Sequence, residues 1–348
     1  MDTSIEIDVE LGTPACSPKR MEGILKPLLL SMKLFGVYHD VYDVSSVSPS
    51  IETTWRSNRK RKTLNTVLSR CYSLAVLILV WANLIRFIIT FQLNDARLAF
   101  RIALLVWTGF VAVGCLVMFV VCEMMTHLRA FYKHWSELYQ DAGCVTAECV
   151  GTRLNRTALI GTVAGWIFLC MIMVSILFLD FAADIEFVQL IIRPFHISTI
   201  VHILVLFLMF HTCGVYTFLV LFVIVLCYLV KSSFDKLSSV LEKNIKNSEI
   251  GIPSTLDQLR RIHLQLCRAV SILDRSVRLL VATEYIINIP LACFIVYQLV
   301  TANEDTIMVV VDLFWMTTNI MVIVSVTLSC ARVHEAVGIT IISNLIDW

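Results

Sequence analysis

Six long apolar blocks divide this chain and constrain its fold more than any other feature. They lie at about 72–92, 102–122, 158–179, 198–230, 279–300 and 306–330. An α-helix needs about 20 residues to cross the hydrocarbon core of a bilayer, and lipid cannot satisfy exposed backbone groups, so each block is expected to span the membrane as a helix. Charged residues make up only 16% of the chain, against about 25% in a soluble domain. The sequence predicts an all-α, polytopic transmembrane helical bundle with six spans.

The remaining sequence predicts a simple domain organisation. Residues 1–71 form a largely polar N-terminal segment with one short amphipathic stretch, and residues 72–348 form the transmembrane domain. Met1 to Ser17 is acidic and polar, without a basic stretch that leads into an apolar one, so no cleaved signal peptide is expected. A polar segment at about 231–278 separates the fourth and fifth blocks and is predicted to be a cytoplasmic helical extension.

Lysine and arginine are distributed very unequally between the two sides of the predicted bundle. Residues 1–71, 123–157 and 231–278, together with Arg332, hold 24 of the 28 basic residues. Cytoplasmic loops of membrane proteins carry the excess of basic residues. We therefore predict a multi-pass protein of the plasma membrane with its N-terminus in the cytoplasm. A rhodopsin-like G-protein-coupled receptor is expected to have the opposite orientation.

Motifs of enzymes and of cofactor sites are missing from the sequence. It contains no phosphate-binding P-loop, no GxGxxG, no HExxH and no GxSxG. Cys144 and Cys149 have no second pair of ligands nearby in the sequence, which favours reduced cytosolic thiols over a zinc site. We expect no enzymatic activity, no cofactor, no metal site and no nucleic-acid partner.

A heptad-like row of apolar residues runs through the polar segment before the fifth block. Its members are Leu259, Ile262, Leu266, Val270, Leu273, Val277 and Leu280. Steps of three and four residues place them on one helix face, which we call the seam. One interpretation is an amphipathic helix that lies against lipid headgroups. The other, which we favour, is a cytoplasmic extension of the fifth span that packs against its neighbours and forms an oligomer core.

Five polar or aromatic residues lie within the predicted spans at similar depths below the predicted outer boundary. They are Arg86, Trp107, His202, Asp312 and Trp315. Because intramembrane charges are costly, Arg86 and Asp312 suggest either a function or pairing. Arg86 could instead extend to the headgroups, the tryptophans could form ordinary packing, and His202 could satisfy an interhelical hydrogen bond. The functional hypothesis is one ligand pocket in the outer half, with aromatic walls and a polar floor.

Three stretches resemble the insect chemoreceptor superfamily, and gustatory-receptor-like proteins in particular, including nematode members described as serpentine receptors. Ile24–Leu28 through Lys33–Tyr38 resembles the short N-terminal segment of the family. Leu259–Leu280, with Ile262-His263-Leu264 in its first half, is similar to the helix that precedes the pore region. Arg332–Ala336 resembles the stretch before the last span. The predicted cytoplasmic N-terminus and the long fourth and fifth helices fit the same family.

The resemblance implies a sensory receptor of the gustatory type. Family members have seven helices and assemble, typically as tetramers, into cation channels gated by a small molecule. This sequence ends at Trp348 without a seventh span and without the Thr-Tyr and Gln-Phe signature of the last helix. The resemblance then implies a truncated gene model or a subunit that does not conduct alone. Two alternatives stay open, a G-protein-coupled type of chemoreceptor and a non-conducting membrane scaffold or transporter.

Overall fold

The structure is a computed structural model, and its description covers most of the chain. The residues described are 21–39, 55–91, 98–123, 128, 130–135, 144–182, 199–247, 252–301 and 306–346. Predictions for Cys16, for residues 1–20 and for the last two residues lie outside this set. The side chains of Cys144 and Cys149 are also outside it.

The described residues are almost entirely helical. The helices are α1 (Met21–Leu34), α2 (Trp55–Ile89), α3 (Leu98–Glu123), α4 (Cys144–Ala182), α5 (Thr199–Asn247), α6 (Ile252–Thr301) and α7 (Thr306–Ile346), with a further helical segment at 130–135. Six of them, α2 to α7, are long and apolar enough to cross a membrane. The predicted all-α bundle with six spans is confirmed. Several helices extend beyond their apolar blocks, and α2, which begins at Trp55, is helical well before its block.

Two helices are much longer than a membrane requires. α5 has 49 residues and α6 has 50, so each is about 75 Å long at 1.5 Å per residue, against a hydrocarbon core of about 30 Å. The polar parts of both helices, the end of α5 and the beginning of α6, are adjacent in the chain and lie at the same end of the bundle. This is the projection that the sequence predicts for the segment around 231–278.

α5 is the central helix of the bundle. It packs against α1, α2, α3, α4, α6 and α7. In its most apolar stretch 83% of the residues are buried, whereas the corresponding stretches of the other spans are at most 50% buried. The other helices therefore keep a face for lipid, while α5 is surrounded by protein. Any group that binds between α5 and its neighbours lies in the interior of the molecule.

The amphipathic stretch at the N-terminus is part of this interior. Leu25, Leu28, Met32 and Phe35 of α1 and the following turn are fully buried, and α1 packs against α4 and α5. Phe35 lies so close to Gly214 of α5 that a Cβ there would be 2.1 Å from its ring. The turn after α1 contains Gly36, whose φ of +67° is unfavourable for other residues. The apolar face of α1 thus packs within the bundle.

The seam at the start of α6 is covered by the chain's own residues. Leu266, Leu273, Val277 and Leu280 are buried, and Leu259, Ile262 and Val270 are half-buried. In the 130–135 segment, His134 Nε2 donates a hydrogen bond to the Gln265 carbonyl at 3.0 Å. Phe234 of α5 meets the His263 ring edge-on at 5.9 Å. The polar extension therefore folds onto α5 and the 130–135 segment, which leaves the opposite face of the helix exposed.

Candidate ligand-binding site

Four aromatic side chains from three helices meet in the interior of the bundle. The Trp107 ring of α3 lies 6.1 Å from the Trp315 ring of α7 and 6.3 Å from the Tyr216 ring of α5, in both cases edge to face. Phe110 meets Tyr216 edge-on at 5.4 Å. These distances and angles are those that aromatic pairs favour. We call Trp107, Phe110, Tyr216 and Trp315 the aromatic cluster.

The helix register explains why these residues meet and which predicted residue is left out. Trp107 and Trp315 are each the tenth residue of their helix, whereas Tyr216 is the eighteenth residue of α5. α5 therefore extends about 12 Å further than α3 and α7 at the end where the three begin. His202 lies fourteen residues before Tyr216, about 21 Å along the helix. It is half-buried near that end and not at the level of the two tryptophans, as depth counted from the apolar block had predicted.

Asp312 and Arg86, the two charged residues of the predicted pocket, lie at different places in the bundle. Asp312 is buried, with 4% of its surface exposed, and lies one turn from Trp315 on α7. Its carboxyl group therefore lies near the aromatic cluster, towards the predicted outer end. Arg86 is on α2, where its guanidinium group lies over the neighbouring Phe87 ring at 4.5 Å. The structure brings together Trp107 and Trp315, with Asp312 close by.

A group of buried polar residues lies next to the aromatic cluster, and the sequence prediction missed it. Glu284 and Asn288 are one turn apart on α6, and Asn319 faces them from α7; all three are at most 5% exposed. Asn288 Nδ2 donates a hydrogen bond to Glu284 Oε2, and Asn319 Nδ2 donates one to the Asn288 carbonyl at 2.9 Å. Glu284 is also within electrostatic range of Tyr216. We call these three residues the polar cluster.

A signal for the polar cluster was present in the sequence. Glu284 and Asn288 have the spacing i, i+4, which places two polar side chains on one face of a predicted span. Pro290 follows within the same helix, and a proline inside a helix removes one backbone hydrogen bond. Glu284 lies deeper in its predicted span than the five candidate residues and was therefore not among them. A search for polar pairs at helical spacing would have found it.

An apolar groove of about 740 Å³ opens between α4 and α7. Its walls are Val163, Trp166, Ile167, Cys170, Met171, Val174, Ser175, Phe178, Val310, Val311 and Phe314. Phe314 also meets Trp315 edge-on at 6.1 Å, so one aromatic pair joins the groove to the aromatic cluster. On the α4 side, Trp166 donates a hydrogen bond to Ser31 Oγ of α1 at 3.1 Å. The groove thus connects the lipid-facing surface with the interior.

The chemistry of this region suits binding of an organic molecule. Aromatic rings offer large apolar surfaces, and the carboxyl groups of Asp312 and Glu284 offer hydrogen-bond acceptors nearby. Among the residues that the structure describes, no group of three or more His, Cys, Asp or Glu side chains could hold a metal ion. Aromatic rings and polar groups therefore lie side by side in the interior of the bundle.

Comparisons with known proteins agree with this architecture. A family model described as 7tm Chemosensory receptor matches residues 25–340. Among solved structures, the insect olfactory receptor OR5 from Machilis hrabei is similar, with a TM-score of 0.64 and 14% sequence identity, over 90% of this chain and 80% of that one. No curated protein sequence matches significantly. The structural likeness shows a common fold, and the family model covers most of the chain including every span. The resemblance seen in the sequence is thereby confirmed, and the chain belongs to the 7tm chemosensory receptor family.

Proposed function

We propose that this protein is a sensory receptor of the gustatory type, and a subunit of a cation channel that opens when a small molecule binds. The observation that carries the proposal is the family match over residues 25–340. The fold shared with an insect olfactory receptor supports it. The protein acts in the plasma membrane with its N-terminus in the cytoplasm, as the distribution of 24 basic residues on one side indicates.

The stimulus is proposed to bind at the aromatic cluster. Trp107 and Trp315 come from different helices and meet only in the folded bundle. A flat, largely apolar molecule that stacks on these rings makes favourable aromatic contacts of its own. Asp312, one turn away, can accept a hydrogen bond from a donor group on that molecule. The groove between α4 and α7 offers a route for compounds that first dissolve in the bilayer.

Binding at this site can act on the whole bundle because the cluster joins α3, α5 and α7. A ligand between Trp107 and Trp315 favours the spacing of α3 and α7 in which it fits best. It thereby shifts the population between conformations in proportion to its differential affinity for them. α5 then passes the change on, since it packs against every other described helix and continues into the polar extension.

Assembly into an oligomer, a tetramer by resemblance, is proposed to use the polar extension. Four of the seven seam residues are buried within the subunit and three are half-buried, so the seam offers little surface to a second copy. The opposite face of the same helix carries Leu264, which is 58% exposed, with Arg260 and Arg268 on either side. An exposed leucine between basic residues on a long projecting helix is suited to contact a neighbouring subunit. We therefore assign the subunit contact to this face.

Electrical recording tests the proposed function. The protein is expressed in cells, alone and together with other members of the family, and whole-cell currents are recorded while a panel of small organic molecules is applied. We expect at least one compound to evoke a current that is carried by cations and disappears when impermeant organic cations replace them. A response that requires G-proteins, with no such current, would contradict the proposal and favour the G-protein-coupled alternative.

An accessibility experiment tests the orientation on which the channel assignment depends. An epitope at the N-terminus is stained with antibody in intact and in permeabilised cells. The charge distribution predicts staining only after permeabilisation. Staining of intact cells would place the N-terminus outside.

A further inference from the structure

The polar cluster contains an acidic group that no described basic residue pairs with. Glu284 is 5% exposed within a membrane-spanning stretch of α6. Among the described residues, no lysine, arginine or histidine forms an ion pair with it, and the hydrogen bond that it accepts comes from the neutral Asn288 amide. A buried carboxylate without a cation is costly, because neither lipid nor the apolar side chains of the bundle replace its hydration. The site therefore favours a positively charged partner.

The polar side chains around Glu284 have oxygen atoms that lack a hydrogen-bond donor among the described residues. Asn288 Oδ1 and Asn319 Oδ1 are buried and accept no hydrogen bond from any described residue. The Asn288 amide donates to the Glu284 carboxylate, and the Asn319 amide donates to the backbone carbonyl of Asn288. Two amide side chains whose oxygens lack a described hydrogen-bond donor thus belong to the contact that contains the Glu284 carboxylate. Rotation of an asparagine amide by half a turn exchanges its oxygen and nitrogen with little change of shape, so Asn288 can turn its oxygen towards the carboxylate side.

The backbone of α6 adds to this set of acceptors. Pro290 has no N–H group, so the Ile286 carbonyl lacks its helical hydrogen bond, but Ile286 is 70% exposed and lies on the opposite face of α6 from Glu284. The Asn288 carbonyl, two residues further on, accepts a hydrogen bond from another helix. The Asn288 carbonyl thus lies beside the buried acidic side chain and adds a backbone oxygen to the polar cluster.

We propose that Glu284, Asn288 and Asn319 form a binding site for a monovalent cation, with sodium as the physiological occupant, between α6 and α7. One carboxylate and one monovalent cation leave the buried site neutral, whereas a divalent ion would leave it with a net positive charge in the membrane. Hard cations prefer carboxylate and carbonyl oxygens, which are the donors present. The cation links the two helices and stabilises their contact next to the aromatic cluster.

Thermal unfolding in a controlled ionic medium tests the site directly. The purified protein in lipid nanodiscs is heated in NaCl from about 10 mM to about 300 mM, with N-methyl-D-glucamine chloride keeping the ionic strength constant. A ligand that binds only the folded protein raises the Tm with its concentration. We expect the Tm of the wild type to rise with sodium and that of Glu284→Gln not to. Without sodium, Glu284→Gln should be more stable than the wild type, because it removes the unbalanced charge.

Two further variants make the test specific. Glu335→Gln changes an exposed glutamate of α7 and should keep the full sodium response. Asn319→Leu keeps the carboxylate but removes an amide oxygen, and should reduce the response. An unchanged response in Asn319→Leu or in Glu284→Gln would overturn the proposed ligands. A wild-type Tm that depends on pH but not on sodium would overturn the site itself, and would show Glu284 to be held neutral by a proton. The experiment needs no stimulus or current, so its outcome is independent of the proposed receptor function.

Discussion

The aromatic cluster and the polar cluster are neighbours in one bundle, yet they place opposite demands on a partner. Trp107 packs against Tyr216 and Trp315, and Phe110 packs against Tyr216, in favourable geometry, and none of these rings carries a charge. Their rings can accept a ligand but do not require one. Glu284 and Asn319, in contrast, bring acceptor oxygens into the membrane interior without a described cationic partner. A site of the first kind can respond to an occasional stimulus, whereas a site of the second kind is stable only when a cation or proton is present.

The largest effect on stability is expected from charges placed in the buried seam, away from both clusters. In the buried seam, Leu266→Asp combined with Leu273→Asp places two acidic groups among apolar residues. An uncompensated buried charge costs about 3–5 kcal/mol, so the double variant should fail to fold or should unfold at a much lower temperature. The measurement is the yield of monodisperse protein and its Tm. This variant shows what a charge costs without the oxygen ligands that surround Glu284.

The exposed face of the same helix provides the matched control. Leu264→Asp places the same group on a residue that is 58% exposed, and surface substitutions typically change stability by about 0.5 kcal/mol or less. We expect the subunit to stay folded and the oligomer to dissociate in mild detergent, since this face is assigned to the subunit contact. If Leu264→Asp leaves the oligomer intact, the contact lies elsewhere.

The next effect concerns the packing of the aromatic cluster. Trp107→Ala removes a buried ring that touches both Tyr216 and Trp315, and such a truncation costs about 3–5 kcal/mol in a protein core. We expect a lower Tm but an unchanged dependence of the Tm on sodium. Trp81→Ala, on a half-buried tryptophan of α2 outside the cluster, serves as control and should cost less. Loss of the sodium dependence in Trp107→Ala would show that the two clusters are not separate sites.

The smallest effect measures how strongly the clusters are linked. Tyr216 belongs to the aromatic cluster and lies within electrostatic range of Glu284. Tyr216→Phe and Glu284→Gln, alone and together, form a double-mutant cycle on the free energy of unfolding. In sodium we expect a coupling of about 0.5 kcal/mol, near the limit of additivity for separated residues. A coupling of several times this value would mean that the two clusters act as one unit.

The fold was largely predictable from the sequence because lipid imposes a simple rule. Apolar blocks of about 20 residues become helices, and the six spans appear where the sequence predicts them. Two features of the fold were harder to predict from the sequence. α2 extends far into the polar sequence before its block, and α1, predicted only as a short amphipathic segment, is buried inside the bundle. Its burial depends on contacts such as Phe35 with Gly214, which hydropathy does not encode.

Part of the candidate site could be predicted from residue type and depth in the membrane. Trp107 and Trp315 were singled out by residue type and depth, and the structure brings their rings together. His202 was misplaced because depth was counted from the start of an apolar block, and α5 extends beyond its neighbours at that end. Glu284 was not among the predicted site residues, because residues were considered one at a time. Its significance lies in the pair with Asn288 and in the third residue from another helix.

The concentration dependence of the stimulus-evoked current tests the central claim, that the aromatic cluster holds the stimulus. Once a compound that opens the channel is found, its dose–response curve is measured for the wild type, Trp107→Phe, Trp315→Phe and the control Trp81→Phe, with surface expression matched. We predict that both cluster variants need a higher concentration of the compound, while Trp81→Phe responds as the wild type does. Unchanged curves for both cluster variants, or an equal shift in Trp81→Phe, would contradict the assignment of this site.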